Sequence, residues 1–363
     1  MTKWLTVVVP SYNMEVYLRG CLDSLLVPCE LLDRLDVVVV NDGSRDATSS
    51  IAHEYANRYP ESFRVIDKEN GNYGSCINAA LPTAKGTFVK VLDADDSVDT
   101  DHFAEFLRFM ESVWAEKGEA GVDLLLADFD FVDPSGRVTR HIRYADGMSS
   151  LFSLDQLPVS DVANMWTHAV AYRTELLLGM SYRQTEGISY SDNDWTFYPM
   201  SRVRTVAHFG KSVNRYLVGR AGQTVDSGTY VRHFGTVLDL IRQAARFQAV
   251  EDAERTEESR SYLDHLLASR VNHAYRMLFV WHPKDFEDSV RRSFDEDIRS
   301  IAPRLAEAAD DIRASPRLSF RPVHEWRRYH RVDTIRFRLF FAYRRMVTCV
   351  QRIFSHVLNA PRS

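Results

Sequence analysis

The sequence predicts an α/β protein: a mixed, mainly parallel sheet with helices on both faces, followed by a C-terminal helical region. Three observations carry this. Strand-type apolar runs at residues 5–9, 36–40 and 87–92, each with at most one charged residue, alternate with segments of helical apolar spacing, the pattern of a parallel sheet buried on both faces. Each run stops at proline or at a polar, turn-forming cluster, which marks strand ends. From about His233 onward the chain is helical in character, with few strand signals.

Taken in order, residues 5–9 form the first strand, ended by Pro10. Leu18, Cys21, Leu22, Leu25 and Leu26 then recur at helical spacing. Residues 36–40 form the second strand, stopped by Asn41-Asp42-Gly43-Ser44, and a helix follows with Ile51, Ala52 and Tyr55 on its inner face. Arg64-Val65-Ile66 is a third, weaker strand; Asn70 to Gly74 reads as a loop before a small-residue helix. Residues 87–92 form the fourth strand, stopped by Asp93-Ala94-Asp95-Asp96. Residues 103–114 then read as a helix, 122–127 as a strand and Pro134-Ser135-Gly136 as a turn. The strand-forming pattern stops near Tyr230. The expected organisation is therefore a domain over 1–232, with halves 1–100 and 101–232, a helical region over 233–320 and a basic amphipathic helix over 321–363.

Length and composition fit this plan. At 363 residues the chain has room for two or three domains. With 45% hydrophobic and 26% charged residues, wholesale disorder and fibrous repeats are excluded. Cys21, Cys29, Cys76 and Cys349 form no CxxC pair and no zinc-type cluster, as expected of reduced thiols in a cytoplasmic protein. The longest uncharged run, residues 70–84, is 15 residues long and rich in Asn, Gly and Ser, whereas a membrane span needs about 18–20 apolar residues. The first apolar run is too short for a signal-peptide core. The net charge of −5 hides an asymmetry: from Arg321 onward there are ten Arg against two acids, which leaves −13 on the first 320 residues. An acidic body is not that of a nucleic-acid binder.

The chemistry-bearing clusters share one topological address. Asn13, Asp42, Asn70 and Asp93 to Asp96 all follow strand ends or their loops, and in an open α/β sheet those ends line one ligand-binding edge. Three carboxylates in the four residues 93–96 repel one another unless a cation sits among them. A hard divalent cation, Mg²⁺ or Mn²⁺, shared with a ligand's phosphates meets that need; an acidic helix N-terminus formed by Asp96, Ser97, Asp99 and Asp101 is the alternative. Asp42 offers a carboxylate to a base or ribose, or is a plain turn residue. Tyr12 is placed to stack on a base or simply to pack. Asn70 to Ser75 opens a helix whose amides suit phosphate, but it has no GxGxxG and no Walker lysine. Either Asp192 or Asp194, in Tyr190-Ser191-Asp192-Asn193-Asp194-Trp195, is a candidate general base, and a polar surface loop is the alternative reading. Arg220 suits a pyrophosphate, or belongs to a surface turn.

Together these segments resemble the inverting nucleotide-sugar glycosyltransferases of family 2, with the GT-A fold. The matching stretches are residues 7–13 with Glu15, 37–48 (VVVVNDGSRDAT), 70–80 (NGNYGSCINAA) and 86–96 (GTFVKVLDADD), with a looser likeness at 171–173 and 187–195. The resemblance implies that Pro10, Tyr12, Glu15 and Asp42 hold the nucleotide; Asn70, Gly74 and Arg220, read from their own chemistry, are further candidates beside it. It implies that Asp93 contacts the nucleotide and, with Asp95, the metal, Mn²⁺ or Mg²⁺. It sets Asp192 at the base position, with Asp194 as the alternative, because the family's preceding Glu is Ser191 here. The activity so implied moves a sugar from a nucleoside-diphosphate sugar, UDP being the commonest carrier, to a hydroxyl of a glycan or lipid-linked saccharide in surface or exopolysaccharide synthesis. The rivals are a catalytically silent nucleotide-sugar-binding or scaffold protein, and a phosphohydrolase using the Asp93 to Asp96 cluster. Trp166, Tyr190 and Trp195 offer faces for sugar stacking, with core packing as the plainer role.

The tail adds a partner. Ile335, Leu339, Ala342, Met346, Val350, Ile353 and Val357 keep a helical stripe, thickened by Phe337, Phe340, Phe341 and Phe354 and flanked by Arg336, Arg338, Arg344, Arg345 and Arg352. Such a helix lies on an anionic membrane face, here the inner face of the plasma membrane, or docks on the acidic body.

Overall fold

The computed structural model describes residues 2–118, 121–220, 227–250, 255–315 and 318–358, with the side chains of the last helix described through residue 347. By internal contacts the chain forms two units, residues 1–240 with 251–266, and residues 241–250 with 267–363.

The first unit is built on a sheet whose described strands number ten. They are β1 (Lys3–Ser11), β2 (Leu35–Asp42), β3 (Phe63–Lys68), β4 (Gly86–Val91), β5 (Ser97–Val98), β6 (Leu124–Val132), β7 (Val138–Ile142), β8 (Leu151–Ser153), β9 (Val170–Arg173) and β10 (Thr205–Leu217). Their order is β3-β2-β1-β4-β9-β6-β10-β5, with β7 beside β6 and β8 beside β10. The long ladders are parallel: β1 with β2 and β4, β2 with β3, and β6 with β10. Strand β9 runs antiparallel between β4 and β6 and joins the two halves. This is the mixed, mainly parallel sheet read from the sequence. Every residue of β2 is buried, as a central strand covered on both faces requires.

Helices α1 (Leu18–Ser24), α2 (Thr48–Arg58), α3 (Asn72–Ala80) and α4 (Thr100–Lys117) follow the strands of the first half. Helix α2 buries Ile51, Ala52 and Tyr55, as its spacing predicts. Helix α3 begins at Asn72, two residues inside the segment expected to be a loop. Asp99 caps α4, its side chain accepting from the His102 amide at 3.1 Å. That assigns part of the acidic 93–101 segment to capping, as one of the two sequence readings expects.

The chain lays down β1, β2 and β3 in one direction, then returns to put β4 on the other side of β1. Such a reversal opens a crevice at the C-terminal strand ends. Beneath it, the sheet is tied by Asp36. Its carboxylate accepts from Arg64 Nε (2.7 Å), Thr6 Oγ1 (2.9 Å) and the Lys85 amide (3.0 Å). Gly86 lies so close to β1 that a Cβ would stand 2.3 Å from the Thr6 nitrogen.

The second unit is helical. Its helices include α5 (Asp288–Ile301), α6 (Pro322–Tyr329) and α7 (Ile335–Leu358). Its buried charges are paired: Arg327 binds Asp295 and also Asp310 (2.9 Å), and Tyr275 donates to Asp295 at 2.8 Å. Arg291, 1% exposed, binds Asp288 at 2.7 Å. Buried ions persist only when so compensated.

Candidate functional site

Four loops meet at the switch-point edge. Pro10 is the penultimate residue of β1 and pairs in register with Val40. Tyr12 follows it with 45% of its surface exposed, a ring open to a ligand. Glu15 is occupied within the protein: one carboxylate oxygen accepts from the Ala47 amide at 2.9 Å and its own amide donates to Asp46 at 3.1 Å, bracing the two neighbouring loops. Asn13 does similar work with Arg45 and Ser44.

Asp42 ends β2 and is buried. Its Oδ1 accepts from Lys68 Nζ (2.6 Å) and the Gly71 amide (3.0 Å), while Asn70 Nδ2 donates to its backbone carbonyl (3.0 Å). The residue therefore sits at the mouth of α3 in one fixed orientation. Gly74, in the first turn of α3, has a packing reason: a Cβ would lie 2.0 Å from the Thr185 carbonyl oxygen. One residue earlier, Tyr73 donates from its hydroxyl to Asp93 Oδ1 at 3.0 Å, linking the Asp42 loop to the end of β4.

The carboxylates after β4 divide their partners. Asp95 Oδ2 accepts from Arg220 Nε at 2.5 Å, and the Arg220 guanidinium lies 5.2 Å from the ring centre of Tyr17. The two sequence-predicted residues thus come together. The remainder of the 218–223 turn lies outside the described residues beyond Arg220. Asp96 is buried; its Oδ1 accepts from the Leu217 amide of β10 at 2.9 Å, and its Oδ2 has no hydrogen-bond partner. His168 Nδ1 lies 3.4 Å from that oxygen. Burial, with the neighbouring carboxylates, raises Asp93 and Asp96 above the usual carboxylate range. Burial, with Lys90 nearby, lowers His168 to about 3, so its imidazole is neutral. Lys90, inside β4, donates to the His168 carbonyl at 2.5 Å and is lowered by burial to about 7.

The geometry fits a divalent cation. Ligand atoms of Asp93, Asp96 and His168 lie within 4.8 Å of one another. A buried, orphaned carboxylate oxygen beside a neutral imidazole is a costly arrangement without a cation. An oxygen–oxygen–nitrogen donor set suits Mn²⁺, and the carboxylates alone suit Mg²⁺.

The two candidate bases differ in their surroundings. Both lie in the turn Asp192–Trp195. Asp194 is 3% exposed and accepts from the Thr185 amide at 3.0 Å. Asp192 is exposed, and its charge reaches the cluster closely enough to raise Asp93 further. Trp195 is wholly buried against Tyr172 and Tyr182, at ring separations of 5.2 and 5.6 Å, so it packs the core. Trp166 and Tyr216 flank His168, with the Tyr216 ring stacked on it at 4.3 Å. Tyr190 packs edge-on to Tyr230 at 5.4 Å.

Sequence reasoning did not single out Lys90, His168, Lys68 or Tyr73. A lone lysine inside the apolar run 87–92 was a readable signal for the first. His168 carries no local signal, since it reaches the site only because β9 crosses between β4 and β6.

The sheet order and its covering helices are those of the GT-A fold. Residues 6–116 match the family model described as glycosyl transferase family 2. In sequence the chain is 37% identical to EpsH of Bacillus subtilis (strain 168) over 107 residues, 30% of each protein. It is 31% identical over 136 residues to the minor teichoic acid biosynthesis protein GgaB of the same organism, covering 38% of this chain and 14% of GgaB. These matches span between 14% and 37% of the length of such relatives. In structure the chain is similar to TarS residues 1–349 of S. aureus, solved with UDP-GlcNAc, at a TM-score of 0.66 and 21% identity, covering 94% of this chain and 92% of that one. The family likeness read from the four motifs thus holds, carried in sequence by residues 6–116 and in fold by nearly the whole chain.

Proposed function

We propose that the chain is an inverting glycosyltransferase that moves a sugar from a nucleoside-diphosphate sugar to a hydroxyl of a glycan or lipid-linked saccharide in cell-surface polysaccharide synthesis. On this reading residues 1–232 are the transferase domain, with most donor residues in 1–100 and the acceptor half in 101–232, which also lends His168 and Arg220 to the donor. The observation that carries it is the meeting of Asp42, Asp93, Asp95, Asp96, His168 and Asp192 at one edge of the sheet, linked through Gly71, Tyr73 and Arg220. The complex of TarS with UDP-GlcNAc supports a UDP-linked donor, as does GgaB, by its name, for teichoic-acid-type acceptors.

Each residue then has a task. Asp42, held by Lys68, presents its second oxygen to the base, and Tyr12 stacks on it. Asp93, Asp95, Asp96 and His168 supply the ligands from which a divalent cation is held against the diphosphate. When bound, that cation offsets the negative charge that builds on the leaving β-phosphate. Arg220, already at Asp95, adds positive charge to the same oxygens. Asp192 accepts the acceptor hydroxyl's proton as that oxygen bonds to the anomeric carbon. The bond from that carbon to the diphosphate breaks in the same displacement, which inverts the centre. General-base assistance of this kind is typically worth 10²–10⁴ in rate.

The test is a thermal-shift screen of nucleotide sugars with and without Mn²⁺, since a ligand of the native state raises the midpoint according to its affinity and concentration. A metal-dependent rise with one donor, followed by transfer to an added saccharide, supports the reading. Phosphate release without an acceptor at a comparable rate would instead support a phosphohydrolase.

A further inference from the structure

Helix α7 of the second unit has two apolar faces, and the protein core uses one of them. Phe337 and Phe340 are buried, with rings 5.0 and 5.6 Å from that of Phe320. Arg344, on the same side, donates to the carbonyls of Val280 (2.6 Å) and Trp281 (2.9 Å). At about 100° per residue, Ile335, Leu339, Ala342 and Met346 fall within an arc of roughly 60° on the opposite side. There Ile335 is 74% exposed, Leu339 65% and Met346 59%. The stripe expected from the sequence is thus the solvent face, and two of the phenylalanines expected to thicken it are the anchor instead. Its continuation at Val350, Ile353 and Val357, with Arg352 and Phe354, lies outside the described side chains.

The flanks of the stripe are cationic. Arg338 and Arg345 line one side and Arg336 the other, all exposed. Helix α7 contains five Arg and no Asp or Glu. Arg336, Leu339, Phe340 and Tyr343 also line a cleft of about 290 Å³ with Leu318 and Phe320. A nucleic acid would meet the charge but leave the apolar stripe in water. A bilayer with anionic headgroups meets both: the stripe enters the headgroup–acyl boundary, and arginines on long stems reach the phosphates. No described helix is long and apolar enough to cross a membrane, so α7 would lie along the surface.

We propose that α7 docks this protein on an anionic lipid surface, with Ile335, Leu339 and Met346 inserted and Arg336, Arg338 and Arg345 on lipid phosphates. The proposal does not depend on the transferase reading, because binding is measured with no donor sugar present. Flotation of the full chain with phosphatidylcholine vesicles, with and without phosphatidylglycerol, tests it. Anionic vesicles should bind at least roughly tenfold better, and added salt should weaken that binding. Ile335→Glu with Leu339→Glu should abolish flotation while leaving the melting midpoint in place, since both side chains are exposed. Arg338→Glu with Arg345→Glu should abolish it too, and Arg338→Lys with Arg345→Lys should retain it. Equal binding to both vesicles, no binding to either, or binding indifferent to the stripe variants would overturn the proposal. So would a dimer in lipid-free buffer that Leu339→Glu dissociates, which would make the stripe a protein interface.

Discussion

Asp194 accepts a hydrogen bond from the Thr185 amide inside the protein, while Asp192, two residues earlier, is exposed and within electrostatic reach of Asp93. Replacement should separate them. Asp192→Ala should lower the turnover rate by at least about 10², with the nucleotide dissociation constant changed less than about twofold; steady-state kinetics beside calorimetric titration checks both. Asp194→Ala should instead strand a buried amide and cost about 1–3 kcal/mol of stability by urea unfolding. At this scale the sequence was legible where a side chain's position follows from the end of a strand, as it does for Asp42 and Asp93 at one edge of the sheet. It was not legible where the partner comes from a distant element. Nothing near Asp95 announces Arg220, 125 residues later, as its ion-pair partner, and nothing near His168 announces Asp96. The spacing of Asp192 and Asp194 leaves the base open; the two differ in burial, in the Thr185 hydrogen bond to Asp194 and in the reach of Asp192 to Asp93.

Strands β1, β2 and β4 were readable as largely apolar runs, β3 less so, and the four are tied together at one buried carboxylate, Asp36. Burial alone would raise Asp36, but Arg64, the Lys85 amide and Thr6 hold it below its ordinary value of 3.8. A carboxyl lowered in the folded state contributes stability above its unfolded value and loses that contribution as pH falls through the folded one. Asp36→Asn should therefore cost about 1–3 kcal/mol at neutral pH, the range for stranding buried hydrogen-bond partners, because Arg64 is partly exposed. The gap between variant and parent should close as the pH is taken below about 4. Urea unfolding across pH 3–7 measures it. Gly86→Ala should be destabilising at every pH, because the added carbon would stand 2.3 Å from the β1 backbone; a melting midpoint equal to the parent's would show that β1 and β4 yield there. The antiparallel insertion of β9 was hidden, since Val170–Arg173 is only four residues long and its place depends on both neighbours.

Across the whole molecule, the acidic body and basic C-terminal segment were visible in composition; the change from strands to helices was visible in the residue pattern, but it comes earlier than residue 232, since the last described strand ends at Leu217 and Ser227–Arg232 is already helical. The faces of α7 were not visible, because periodicity marks an apolar stripe without saying whether protein or solvent will cover it. On the proposed function, Asp42 and the Asp93 to Asp96 cluster, brought to one edge by the strand order, form a single site for a nucleoside diphosphate and a divalent cation. Calorimetric titration of UDP into the parent protein, Asp42→Ala and Asp96→Ala, each with Mn²⁺ and with EDTA, tests it most directly. The parent should bind only with Mn²⁺, Asp96→Ala should lose the metal dependence together with at least about tenfold in affinity, and Asp42→Ala should weaken binding while the metal dependence persists. Binding of equal strength in all three proteins, indifferent to EDTA, would rule out a shared metal-dependent nucleotide site.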